Sequence, residues 1–272
     1  MLVWEGILQE KLYPFLPLME VLAFSVSMLL SFLCGMKLSL IRFTKSWFIK
    51  LQLHRLFAPF TGLFLNLVYM TKLSKWAHEN RHVAYNDFKS KWDYNKRYPM
   101  YQWVIDQEGL TQPINYLEFG VAGGESFRWF MERNKNADSR FYGFDTFDGL
   151  PEDWGPFKKG AFSNNNQLPQ IPDARGQFFK GLFQQTLPSF LQQLDKSRRN
   201  VLMMDADLWS ATLYALTMLA PYLKKDDIIF FDEFVVPTHE FKAFLDFVES
   251  HYVNLQLVAT ANNYYFAAFK VK

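Results

Sequence analysis

A single cysteine, Cys34, in 272 residues leaves no intramolecular disulfide framework and no cysteine-built zinc site. Net charge is almost absent: 29 Lys and Arg stand against 27 Asp and Glu, a formal +2. A dedicated nucleic-acid binder needs a basic footprint to neutralise phosphates, so no nucleic-acid partner is expected. No internal repeat or low-complexity stretch is visible. No uncharged run cleanly reaches the roughly 20 apolar residues needed to cross about 30 Å of hydrocarbon. Residues 21–36 are diluted by Ser25, Ser27 and Ser31, and residues 56–70 by Pro59, Thr61, Gly62 and Asn66.

What the chain does have is aromatic bulk. Twenty-nine Phe, 13 Tyr and 8 Trp can fill a sizeable core and exclude a largely disordered chain. Its charge is unevenly spread. Residues 1–75 carry eight basic and three acidic side chains, net +5, which leaves −3 for the remainder. Arg42, Lys45, Lys50 and Arg55 alternate there with Phe43, Trp47, Phe48, Ile49 and Leu53. A secretory signal is disfavoured, because Glu5 and Glu10 precede the run and no basic segment does. A single span starting near Val21 would place the body in the cytoplasm, since basic residues follow it. A helix pair lying at the inner face of the membrane would bury the aromatic residues and turn Lys and Arg towards anionic lipid. An N-terminal cap packed on the body or on a second subunit is the alternative; membrane contact is preferred. The expected organisation is an apolar, basic helical region over 1–75, a lead-in over 76–112, and a body over 113–272.

Tyr98, Tyr101, Trp103, Val104 and Ile105 predict a short amphipathic helix ending near Gly109. From residue 114 onward, short apolar runs alternate with helix-length segments. Strands are expected at 115–119, 140–144, 177–180, 200–204, 227–231, 255–260 and 264–270, and helices at 124–133, 186–195, 210–223 and 239–251. Runs that are apolar throughout, such as IIFF, fit a sheet covered on both faces. The alternation implies a doubly wound α/β fold with a mostly parallel seven-stranded sheet. The last two strands, separated by 261–263 alone, read as an antiparallel hairpin at its edge.

Such sheets bind ligands beyond the carboxyl ends of their strands. The first strand ends in Glu118-Phe119-Gly120-Val121-Ala122-Gly123-Gly124-Glu125-Ser126, where glycines let the backbone turn sharply towards a ligand and the helix offers free N–H groups. The spacing is not G-x-G-x-x-G, which argues against a nicotinamide or flavin dinucleotide. Asp145, at the end of the second strand, is placed to accept hydrogen bonds from ribose hydroxyls. Asp205 and Asp207 end the fourth strand, and Asp232 and Glu233 the fifth. Helix capping accounts for some of these acids, yet four at two adjacent strand ends exceed what capping requires. Converging carboxylates of this kind suit a hard cation such as Mg²⁺.

Five blocks in order, YLEFGVAGGESFRWF, FYGFDTFDGLPEDW, GLFQQTLPSFL, MDADLWSATLYALTMLAPYL and IIFFDEF, resemble the macrocin O-methyltransferase family. Its members are class I S-adenosylmethionine-dependent enzymes that methylate sugar hydroxyls, typically with Mg²⁺. The resemblance covers about residue 94 to the C-terminus and leaves residues 1–90 outside it. It implies that Glu118, Gly120, Gly124 and Ser126 surround the methionine part of the cofactor, that Asp145 holds the ribose, and that Gly181 and Phe183 line the adenine pocket. It implies Asp205, Asp232 and Glu233 as metal ligands, as in the similar catechol O-methyltransferases.

The sequence departs from the family at the fifth strand, with Asp-Glu in place of the commoner Asp-Asp, and carries no histidine in 146–170. Leu208 stands where the catechol enzymes have a lysine. Asp207 and His239 remain as candidates for the base, His239 also reading as a helix-start residue. The expectation is a cytoplasmic O-methyltransferase, at the inner face of the membrane, acting on a small-molecule or glycan acceptor. Relatives form homo-oligomers through N-terminal helices, which points to residues 76–108 for that role. A membrane-peripheral scaffold with this fold and no turnover is the competing reading.

Overall fold

The computed structural model describes residues 37–88 and 91–272. The apolar run 21–36, on which the expected membrane span rests, lies outside the described residues. The chain divides into two compact units between Leu63 and Phe64.

In the first unit residues 37–50 are helical, and a short helix, His54–Phe57, leads into the 3₁₀ turn Ala58–Phe60. Leu40, Ile41, Phe43, Trp47 and Ile49 are exposed.

Helix α1, Thr61–Glu79, runs across the expected boundary at 75/76. Trp76 is the reason. Its ring sits 4.8 Å from Phe234, 5.9 Å from Phe244 and 6.0 Å from Phe269, so this end of the helix is fastened to the body. Helix α2, Arg97–Glu108, stops where Gly109 takes a left-handed φ of 64°, which a Cβ would disfavour. Its Met100, Tyr101, Val104 and Ile105 are buried within this same chain.

The sheet has eight strands: β1 Tyr85–Asn86, β2 Ile114–Phe119, β3 Arg140–Asp145, β4 Gly176–Lys180, β5 Arg199–Met204, β6 Ile228–Phe231, β7 Leu255–Ala261 and β8 Phe266–Val271. Their order is β1-β7-β8-β6-β5-β2-β3-β4. All neighbours are parallel except those of β8, which runs antiparallel to both β6 and β7. The doubly wound reading is thus met, with two differences. The expected seven strands become eight, because Tyr85–Asn86 pairs in parallel with Ala259–Thr260. The C-terminal strand is inserted between β6 and β7 and does not form the edge. Two residues are too few to leave a periodic signal, and strand order depends on partners far apart in sequence.

Alternating side chains of β2 serve two cores. Leu117 and Phe119 join the layer under α4 (Phe183–Leu191), α5 (Trp209–Leu219) and α6 (Glu240–His251), where Tyr69, Leu73 and Trp76 of α1 also pack. Tyr116 joins the opposite layer with α2 and α3 (Glu125–Arg133). Glu118 follows Tyr116 to that second side, which decides its environment.

Candidate functional site

The carboxyl ends of β2 and β5 lie side by side where the strand order reverses, and the backbone ladder continues past them. Gly120 N–H donates to Phe144 O (3.0 Å), Asp205 N–H to Phe119 O (2.9 Å) and Asp232 N–H to Met204 O (3.0 Å). Gly120 has φ 93°, and a Cβ there would stand 1.7 Å from the Asp205 carbonyl oxygen. The glycine is thus required by the close approach of the two strand ends. A cavity of about 440 Å³ opens above them. Its walls include Gly120, Ala122 and Asp145 on one side, Asp205, Asp207 and Glu233 on another, and Leu182 and Phe183 from the start of α4. The volume is that of a small-ligand site.

Asp145 holds the glycine bend in shape. One carboxylate oxygen accepts from Val121 N (2.7 Å) and Ala122 N (2.8 Å), the other from Phe147 N (2.7 Å). Ala122 and Phe147 both adopt positive φ, 45° and 57°, so the carboxylate fixes two backbone positions that non-glycine residues rarely take. The second oxygen carries one of these bonds and keeps a lone-pair direction for a hydroxyl.

Glu118 and Ser126 do not line the cavity. The Ser126 hydroxyl donates to Glu118 at 2.7 Å and the Tyr116 hydroxyl at 2.5 Å, all three groups buried on the α3 side of the sheet. Burial pushes the Glu118 carboxyl up to about 8 against these hydrogen bonds. Gly124 and Gly181 also lie outside the cavity walls. Gly124 (φ 77°) is the residue before α3, where a Cβ would come within 3.0 Å of Pro169, and Gly181 (φ 142°) donates its N–H to Asp145 O at 2.9 Å. Phe183 does face the cavity.

The acids at the β5 and β6 ends separate into two groups. Asp232 turns away from the cavity towards Arg97: Tyr101 OH donates to one oxygen (2.8 Å), Tyr94 OH to the other (3.0 Å), and the Arg97 guanidinium stands 3.4 Å from both. Burial disfavours the Arg97 charge, but the Asp232 carboxylate outweighs it and raises the guanidinium pKa. Glu233 instead meets Asp207, carboxyl to carboxyl. Burial raises both pKa values, and Asp207's charge raises that of Glu233 further. Asp207 reaches this position through a positive φ of 59°. Tyr265 OH donates to Glu233 Oε1 at 2.6 Å. The Asp205 carboxyl is raised by burial and by the charges of Asp232 and Asp207. Behind them the fully buried Glu240, its pKa raised by burial and by the charge of Glu233, accepts from Glu233 N at 3.1 Å.

These are hard oxygen donors of the kind Mg²⁺ takes. The set expected from the resemblance is nevertheless not assembled. Asp232 is committed to Arg97, Tyr94 and Tyr101, and among the described residues no three acid, histidine or cysteine side chains are grouped to hold an ion. His239 is likewise apart from the cavity. Its Nδ1 faces Trp209 N at 3.4 Å and its ring lies 6.4 Å from Trp154, beside the Leu150, Trp154 and Leu208 cluster under the loop 146–175. Burial lowers its pKa. That loop supplies Leu150, Glu152 and Phe162 to the cavity, and Glu152 accepts from Ser210 Oγ (2.6 Å), which ties the loop to α5.

Arg97, Tyr94 and Tyr265 were not among the residues singled out from the sequence, and Tyr101 was named only for its place in a helix. An arginine inside an amphipathic aromatic helix was the available signal for the first. Nothing local marks its partnership with Asp232, 135 residues away.

Residues 117–234 match the model of a methyltransferase domain. Two solved structures share the fold. CalS11, a calicheamicin methyltransferase, is 22% identical, with 65% of this chain and 78% of that chain covered and a TM-score of 0.50. The O-methyltransferase NovP is 18% identical, with 77% of this chain and 98% of that chain covered and a TM-score of 0.51. No curated protein matches the chain.

Proposed function

Because residues 117–234 match the model of a methyltransferase domain, we propose that this chain binds S-adenosylmethionine and transfers its methyl group to a hydroxyl of a sugar or another diol-bearing small molecule. One observation carries the reading: the Asp207 and Glu233 carboxyls face the glycine bend across a single cavity whose far wall is Asp145. The similar CalS11 is described as a TDP-rhamnose 3'-O-methyltransferase, which agrees with a sugar acceptor.

Methyl transfer from a sulfonium is an in-line displacement, so alignment of oxygen, methyl carbon and sulfur is the first requirement. Asp145 holds the bend against which the nucleoside settles, and Phe183 covers its base. Leu150 and Phe162 close the cavity from the loop side and exclude water. As the oxygen–carbon bond forms and the carbon–sulfur bond breaks, the acceptor hydroxyl gives its proton to the Asp207–Glu233 pair. A carboxyl pair held above its ordinary range is a stronger base for this step than a solvated carboxylate.

A divalent cation recruited by Asp205 and Glu233, both of which line the cavity, is a second reading. The ion would polarise the acceptor oxygen. We propose that the enzyme works at the inner face of a membrane, because the helical run His54–Glu79 is long and apolar enough to enter one and exposes Leu65, Leu67 and Val68.

Calorimetric titration with S-adenosylmethionine tests the first reading, with transfer to nucleotide sugars followed by S-adenosylhomocysteine release. Binding lost in Asp145→Ala supports it; no heat from the wild-type chain refutes it. Turnover that stops with EDTA and returns with Mg²⁺ selects the metal reading, and turnover indifferent to EDTA selects the carboxyl pair alone.

A further inference from the structure

A second cavity, about 1430 Å³, opens on the other side of Glu233. Its apolar wall is Met70, Leu73 and Ala77 of α1, faced by Phe88, Trp92 and Val235. The wall is pre-set: Trp76 is clamped among Phe234, Phe244 and Phe269, and Tyr264 OH donates to Ala77 O at 3.2 Å.

Aromatic side chains link the linings of the two cavities. Tyr265 lines the second and hydrogen-bonds Glu233, which lines the first. Trp92 lines the second and lies 6.1 Å from Tyr265 and 6.4 Å from Tyr94, which lines the first. One end carries a basic rim of His78, Arg81 and His82. Asp87, the one acid in the lining, is ion-paired with Lys96 at 3.5 Å. The outer face of α1 continues the apolar wall, with Leu65, Leu67 and Val68 exposed.

We propose that this cavity takes the long apolar chain of a lipid phosphate, the carrier on which the acceptor sugar is presented, with the phosphate at Arg81 and the sugar passing over Trp92 and Tyr94 into the first cavity. The assignment rests on the methyl-transfer reading for the acceptor's fate, but the chain site stands on its own walls. The Arg81 guanidinium matches a phosphate, and the exposed apolar face of α1 gives the chain a dry path from a bilayer.

The test is calorimetry on the full-length chain with octyl, decyl and dodecyl phosphate as monomers, beside inorganic phosphate and dodecyl maltoside. Each methylene buried tightens binding by up to about fourfold, so affinity climbs steeply along the series and inorganic phosphate gives no comparable heat. Met70→Asp, at a position exposed enough to fold normally, weakens dodecyl phosphate by about tenfold or more, as does Ala77→Trp, which fills the space. Arg81→Gln weakens dodecyl phosphate and leaves dodecyl maltoside unchanged. Affinity independent of chain length, inorganic phosphate binding as well as dodecyl phosphate, or both cavity variants binding like wild type would each overturn the proposal. S-adenosylmethionine titrated into the same variants separates the two ideas. Retained cofactor binding with lost chain binding supports the site; absent cofactor binding in the wild type sinks the methyl-transfer reading and leaves the chain measurements to stand.

Discussion

The Arg97 guanidinium lies 3.4 Å from both oxygens of Asp232, and both groups are almost wholly buried. Helix α2 and the end of β6 are therefore joined by a charge pair whose remaining hydrogen bonds come from Tyr94 and Tyr101. Removing one partner of a buried pair leaves the other uncompensated, at a cost of about 3–5 kcal/mol. Arg97→Met should lower the unfolding free energy by that order in chemical denaturation. The double change Arg97→Met with Asp232→Asn should cost clearly less than the single changes summed. Simple additivity would show that the two side chains do not depend on each other.

Asp145→Ala removes the acceptor of three backbone N–H groups and the carboxylate that faces the cofactor cavity. Charge-assisted hydrogen bonds contribute about 1.5–3 kcal/mol each. Loss of even one to the ribose weakens S-adenosylmethionine binding by roughly tenfold to a hundredfold. Isothermal titration reads this directly, and an unchanged affinity would remove Asp145 from the cofactor site.

Glu118 gives stability a pH dependence of defined sign. Its folded pKa, pushed up to about 8 by burial, exceeds the ordinary 4.5 of the unfolded chain. Between those values the folded state holds a proton that the unfolded state has released, so stability falls as pH rises from about 4.5 to about 8. Glu118→Gln keeps an uncharged group at every pH. The melting temperature of the variant relative to wild type should rise steadily from pH 5 to pH 8, and a difference flat with pH would refute the raised pKa.

Two glycines of one loop should respond oppositely. At Gly120 a Cβ meets backbone oxygen at 1.7 Å and the φ of 93° is already adverse, whereas at Gly123 nothing lies within 4 Å. Gly120→Ala is expected to destabilise the fold by more than about 2 kcal/mol. Gly123→Ala should stay within about 0.5 kcal/mol of wild type. Thermal melts of the two variants decide it, and equal melts would mean that the strand ends are not so closely apposed.

Asp207→Asn removes one carboxyl of the Asp207–Glu233 pair while keeping its shape. Loss of a general base lowers kcat by about 10²–10⁴ with little change in cofactor affinity. A variant with wild-type kcat would move the base elsewhere.

Sequence alone determined the layering and the cofactor end of the site. The run INYLEF can only be a strand covered on both faces, and a glycine bend after it must turn the chain at the place where such sheets bind ligands; both follow from local composition and period. The fourth and fifth strand ends, with their paired acids, were legible for the same reason.

Tertiary structure decided how those acids divide. Asp232 and Glu233 are neighbours in the chain, but successive side chains there point apart, so one reaches Arg97 and the other Asp207. Which acid is neutralised and which is left to the cavity depends on groups brought from α2 and from the β7–β8 turn, more than 30 residues away in either direction. The same is true of Glu118, which the motif places beside a ligand and the pleat of β2 turns to the other face of the sheet. Local sequence specifies where the backbone bends; the direction of each side chain, and the charge it finally carries, is set by what packs against it.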